Sequence, residues 1–216
     1  MLNLSPATLI SRILTLVIAL TFHEFSHAAT ANYFGDDTPR NNGRLTLNPL
    51  AHLDVIGSLM LIVAGFGWAK PVPVNPYTLQ RKSPSALMWV SLAGPLSNLL
   101  LAILAAIPLR FHLISYSYNA SSIFPTPYSF LVEFLVINLL LMLFNLIPLA
   151  PLDGDKIVDY FFPPQISNFF EKIRPYGPII LLIVAFVLPQ LGFDVLGWII
   201  TPALQGMIKI LIGGAA

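Results

Sequence analysis

The sequence predicts an all-α polytopic membrane protein: a bundle of about five transmembrane helices with a small membrane-associated β-hairpin and a re-entrant segment. Two observations carry that prediction. Of 216 residues, 56% are hydrophobic and only 10% are charged, whereas soluble domains are about one quarter charged. The apolar residues are also gathered into runs close to the roughly 20 residues that a helix needs to cross a bilayer. The net charge of +1 and the absence of cysteine exclude a basic face for nucleic acid, a disulfide framework and a thiolate metal site.

The first run spans Pro6 to Tyr33 as one long helix. No lysine or arginine precedes Arg12 and no small-residue cleavage site follows, so it reads as a retained span and not a signal peptide. Next comes DDTPRNNGRLTLNP, in which Asn42-Gly43 is a hairpin turn signal and Arg44 to Leu47 alternates polar and apolar residues as a strand does. Val55 to Phe66 is apolar but short, which suits a re-entrant segment better than a crossing. The closely spaced prolines of GWAKPVPVNPYTLQRKSP predict an extended loop. Ser85 to Leu109 and Tyr128 to Pro148 are the second and third spans, and Pro178 to Leu191 and Val195 to Ile212 are two weaker ones. No linker or repeat divides the chain, so residues 1–216 read as a single domain with a motif-bearing core at about 6–158 and C-terminal helices at about 176–212. Lys70, Arg81 and Lys82, with no acid among them, place their loop in the cytoplasm. The N-terminus is then extracytoplasmic, and the chain sits in the cell membrane.

Against this apolar background TFHEFSHAAT, Thr21 to Thr30, stands out. His23 and His27 are four apart, so one helical face carries both imidazoles a turn apart, with Glu24 beside them. That spacing lets two histidines hold one zinc while the glutamate stays free as a general base. A satisfied polar helix end is the bland alternative, weakened because ionisable groups at membrane depth are costly. A catalytic zinc needs a third protein ligand. The available groups are His52, Asp54, His112, Glu133, Asp153, Asp155 and Asp159. Asp153 is the best placed, since Pro148 and Pro151 break the helix before it and let the backbone turn inward. Asn138 and Asn145 lie two turns apart on one face, the first suited to gluing helices and the second nearer the proposed metal. Ser91, Gly94, Asn98, Ala102 and Ala105 form a stripe of small residues for close packing, from which Asn98 could reach the site as a donor. Four histidines, only two of them clustered, are too few for a di-iron oxidase.

HEFSHA, GRLTLNP, GWAKPVPVNP, AGPLSN and FNLIPLAPLDG occur in that order over roughly Thr15 to Val158. Together they resemble the site-2 protease family, the intramembrane zinc metalloproteases, and within it the small prokaryotic group without PDZ or CBS domains. The resemblance implies one zinc per chain, held by His23, His27 and Asp153, with Glu24 activating water and Asn145 and Asn98 assisting. It implies cleavage in or near transmembrane segments of single-pass membrane proteins or signal-peptide-like remnants. Two positions depart from the family pattern: Leu53-Asp54-Val55 replaces the usual LDP, and Gly154-Asp155 replaces Gly-Gly.

Overall fold

The computed structural model of the chain describes residues 5–54, 57, 68–117 and 123–213. It is nearly all helical, and among the described residues five helices are long and apolar enough to cross a membrane: Pro6–Tyr33, Ala86–Arg110, Pro127–Asn145, Gln165–Leu191 and Val195–Ile212. Helix α1, Pro6–Tyr33, starts where the Ser5 hydroxyl accepts the Thr8 amide, with Pro6 in the first turn. Its buried stripe runs Ala7, Ser11, Thr15, Ala19, His23, His27 and Ala31, one residue every four. Small side chains along most of that stripe let two further helices approach its backbone. These are α4, Ala86–Arg110, and α5, Pro127–Asn145, and the expected stripe of Ser91, Gly94, Asn98, Ala102 and Ala105 on α4 is buried throughout. Ala102, Ala105, Ala106 and Leu109 of α4 pack on Phe134, Leu135 and Leu139 of α5.

Short helices connect the long ones. α2 is Thr38–Asn41 and α3 is Pro76–Lys82. After α5 come α6 at Gly154–Phe161, α7 at Pro164–Ile173 and α8 at Gly177–Leu182, and the chain ends in α9, Val195–Ile212.

The structure corrects four expectations. There is no β-hairpin among the described residues: 42–48 hold only turn and bend, and one isolated bridge pairs Leu53 with Ala69. The reason is Arg44, whose buried guanidinium donates to the carbonyls of Ala51, Lys70 and Pro71 and draws those segments together without a ladder. Leu45 and Leu47 are left exposed, with no partner strand among the described residues. The proline-rich loop is extended only to Asn75; Pro76 then occupies the first turn of α3, where its missing N–H costs nothing, and Asn75 caps it. The third span stops at Asn145, before Pro148. The fourth apolar segment begins well before Pro178, because Pro178 sits in the first turn of α8 while α7 and a 3-10 turn, Arg174–Tyr176, run into it from upstream. The proposed re-entrant stretch, 55–66, lies outside the described residues apart from Gly57.

Candidate metal centre

Three helices and one turn meet at the C-terminal half of α1. His23 and His27 are buried there, with ring centroids 4.7 Å apart and planes at 81°. Their Nε2 atoms lie 3.1 and 3.3 Å from a single oxygen, Oδ2 of Asp153. Asp153 reaches this point because the chain doubles back after α5. Gly154 makes the fold-back possible: a Cβ there would run into the carbonyls of Leu146 and Ile147. Among the described residues, His23, His27 and Asp153 are the group whose ligand atoms all lie within 4.8 Å of one another.

The surroundings set the protonation of both rings. His23 Nδ1–H donates to Asn98 Oδ1 at 2.6 Å, and His27 Nδ1–H donates to the Val90 carbonyl at 2.6 Å. With an acceptor on each Nδ1, the neutral tautomer leaves both Nε2 lone pairs facing the carboxylate. Three converging lone pairs repel unless a cation lies among them. The spacing suits one: metal–ligand bonds of about 2.0–2.1 Å at tetrahedral angles put neighbouring ligand atoms about 3.3 Å apart, and the observed separations are 3.1 and 3.3 Å.

The α4 backbone forms the floor. A Cβ on Gly94 would press on Nε2 of both histidines, so glycine here clears the space for the rings. One turn on, Asn98 is completely buried and fully satisfied: its Nδ2 donates to the Ala19 carbonyl and to Asn138 Oδ1, while its Oδ1 accepts from His23. Asn98 therefore meets the site as an acceptor, not as the expected donor. Asn138 in turn donates to Phe134 O. The series Asn138–Asn98–His23 links α5, α4 and α1.

Glu24 is buried, and its Oε2 accepts the Val72 amide at 3.1 Å. Val72 belongs to an extended strap pinned along its length. The Lys70 amide donates to His52 O at 2.8 Å, Arg44 holds the Lys70 and Pro71 carbonyls, and the Asn75 amide donates to Asp36 Oδ2 at 2.6 Å.

The other candidate ligands have other partners. His52 is bonded through Nε2 to Thr46 O, and Asp54 accepts the Gly57 amide. His112 is exposed beyond the end of α4, and Glu133 pairs with Arg12 at 3.1 Å. Asp155 and Asp159 are both held by Arg174, so that of the two neighbouring aspartates Asp153 faces the histidines and Asp155 faces Arg174. Asn145 ends α5 and donates to Leu141 O within its own helix, a bond that does not join it to the triad. Sequence reasoning missed the Val90 carbonyl, the Val72 amide and the role of Gly94. The first two are backbone groups that no side-chain pattern announces, and a glycine within a stripe of small residues signals only packing.

Fold and site together describe a helical protein with five helices apolar enough to cross a membrane and a His-His-Asp group that could hold a metal ion. The chain is 39% identical to YwhC of Bacillus subtilis over 92% of its own length and 89% of that protein. It is 32% identical to Rip2 of Mycolicibacterium smegmatis over 84% of this chain and 70% of that one, and 31% identical to Rip2 of Mycobacterium tuberculosis over 85% and 70%. The names of these relatives describe them as candidate zinc metalloproteases. The chain belongs to this site-2 protease-type family of zinc metalloproteases. No family model matches it, and no solved structure matches significantly.

Proposed function

We propose that the protein is a zinc-dependent intramembrane endopeptidase that cuts peptide bonds in or near transmembrane segments. The observation that carries this reading is the convergence of His23 Nε2, His27 Nε2 and Asp153 Oδ2, with Glu24 the next residue along the same helix. His23, His27 and Asp153 would hold the zinc, which when bound supplies Lewis acidity that polarises a carbonyl and acidifies water. Glu24 removes a proton from the attacking water and returns it to the leaving amine nitrogen. The Val72 amide on Oε2 orients that carboxylate and leaves its other oxygen available. Asn98 fixes the tautomer and ring plane of His23. Asn145, the last residue of α5 before the turn that leads to Asp153, assists with the substrate carbonyl. Substrates are single-pass membrane proteins or signal-peptide-like remnants, and the site opens toward the cytoplasm, consistent with Arg81 and Lys82 on α3 at this end of the bundle.

The test has two stages. Elemental analysis of detergent-solubilised protein should give about one zinc per wild-type chain and almost none in His23→Ala, as expected for loss of a ligand from a three-residue site. A panel of synthetic transmembrane peptides with helix-breaking residues is then incubated with wild type and Glu24→Gln, and products are identified by mass spectrometry. Glu24→Gln should keep its zinc and cut nothing. Wild type without zinc sinks the metal assignment, and cleavage by Glu24→Gln sinks the general base.

A further inference from the structure

The bundle has two distinguishable ends. The metal-centre end holds the C-terminal half of α1, the first turns of α4 at Val90 and Gly94, and the C-terminus of α5. The far end holds the start of α1, the C-terminus of α4 and the start of α5; there Ser5, Thr8 and Ser11 line one small pocket with Thr126 and Ser129.

Helix α9 reports its own direction. At the far end, Arg110 at the C-terminus of α4 donates to the carbonyls of Ile210 and Leu211 at 2.7 and 3.2 Å. Leu204, Met207, Ile208, Leu211 and Ile212 pack on the cluster of Ala102, Ala105, Ala106, Leu109, Phe134 and Leu135, which belongs to the same half. So α9 runs parallel to α4 and finishes at the far end. With 18 residues at 1.5 Å each it is about 27 Å long, roughly the thickness of the hydrocarbon core. Its first residue, Val195, therefore lies at the metal-centre end. The chain between Asn145 and Val195 leaves and returns at one end of the bundle.

Gln165–Leu191, although long and apolar enough to cross, cannot do so once and satisfy that packing. Its local structure agrees. α7 is amphipathic, with Ile166, Phe169 and Ile173 interleaved with Gln165, Asn168, Glu171 and Lys172. The wholly apolar stretch after it, Pro178 to Leu188, is a run of the length that lies in the interface more often than it spans. It is broken by a π-helical stretch at Ile183–Val187 and a 3-10 turn at Pro189–Leu191. Its start is fixed to the metal-centre end at two points. Arg174 binds Asp155 and Asp159 of α6, and Gly177 lies so close to Ala150 that a Cβ would strike the Ala150 carbonyl.

We infer that Gln165–Leu191 does not cross the bilayer but docks on the lipid surface at the metal-centre end. Its occupant is lipid: Phe169, Ile179, Leu182 and Leu191 are all exposed and apolar, with the polar side of α7 toward headgroups and water. Among the described residues, length and composition admit five crossings; the packing admits four, made by α1, α4, α5 and α9. Residues 5 and 213 then lie on the same side of the membrane.

The chain has no cysteine, so single cysteines can be placed without background. Lys82→Cys marks the metal-centre side and Ser117→Cys the far side, while Gln190→Cys and Lys209→Cys are the reporters. Each is treated with a membrane-impermeant maleimide in sealed right-side-out and inside-out vesicles. Gln190→Cys should label from the side that labels Lys82→Cys, and Lys209→Cys from the side that labels Ser117→Cys. The reverse for Lys209→Cys overturns the inference, whatever Gln190→Cys does, because its side fixes the number of crossings. If Lys209→Cys yields no membrane-inserted protein, Ile210→Cys is read by the same criterion. The outcome is independent of whether the site binds zinc.

Discussion

Gly94→Ala tests the metal centre through a residue that has no side chain to bond with. A Cβ at this position falls 2.6 Å from His23 Nε2 and still closer to His27 Nε2, whereas ordinary contact begins at 3.4 Å. The His23 ring must therefore retreat by 3.4 − 2.6 = 0.8 Å, several times the roughly 0.2 Å by which metal–ligand distances vary. Overpacking of this kind costs about 1–3 kcal/mol. At 1.4 kcal/mol per factor of ten, zinc affinity should fall about five- to a hundredfold. The usual helix gain of alanine over glycine is not expected here, because Pro95 follows and disfavours the helical conformation for a preceding residue that carries a Cβ. The expected signature is weaker zinc binding by chelator competition, with an unfolding temperature of the metal-free protein no higher than wild type, because the same rings crowd the Cβ before any metal binds. Gly206→Ala in α9 is the control, because nothing lies within 4 Å of the point a Cβ would occupy there; it should leave zinc affinity alone. Wild-type zinc affinity in Gly94→Ala would refute the idea that both Nε2 atoms face the metal.

Three other perturbations probe the supports of the site. Asn98→Ala removes the acceptor on His23 Nδ1 and should weaken zinc binding about 10- to 100-fold, read by the same chelator titration. Val72→Pro deletes only the amide that donates to Glu24, in an extended run already flanked by Pro71 and Pro73. Loss of one charge-assisted bond of about 1.5–3 kcal/mol should lower kcat/KM about ten- to a hundredfold with zinc content intact; an unchanged kcat/KM would free Glu24 from that contact. Arg174→Ala leaves the carboxylate of Asp155, only 6% exposed, without its partner. It should destabilise the protein by about 1–3 kcal/mol, less than a fully buried pair because a third of the guanidinium is solvent-screened. Asp155→Asn in the same chain should restore most of the lost melting temperature.

That His23 and His27 share one buried helical face was legible because the message is local: a four-residue spacing on a helix states its own geometry. The long helices were legible for the same reason, since hydropathy over 20 residues needs no knowledge of the rest of the chain. Asp153 was harder. Its path to the histidines depends on a glycine pressed against the Leu146 and Ile147 carbonyls, a contact between segments that no spacing encodes. The strand expected at Arg44 to Leu47 failed because alternation implies a strand only when a partner edge exists, and Arg44 occupies the carbonyls of Ala51, Lys70 and Pro71 itself. The fourth apolar segment is a different case, long and apolar enough to cross by composition alone. Composition reported that it could cross, and only the position of Arg110 beside Ile210 and Leu211 reported the direction of α9 after it.

Asn98 carries a consequence for how the protein matures. Its three bonds join the Ala19 carbonyl on α1, the Asn138 side chain on α5 and the ring of His23, so they can all form only when three separately inserted helices share one vertical alignment. A slip of a single turn, about 5.4 Å along any of them, would strand an amide in a medium that offers no water to replace the lost partner and would swing His23 out of plane. Competence to capture the metal thus arises only after the helices have found their register. An ion held by His23, His27 and Asp153 would therefore read out correct assembly in the bilayer.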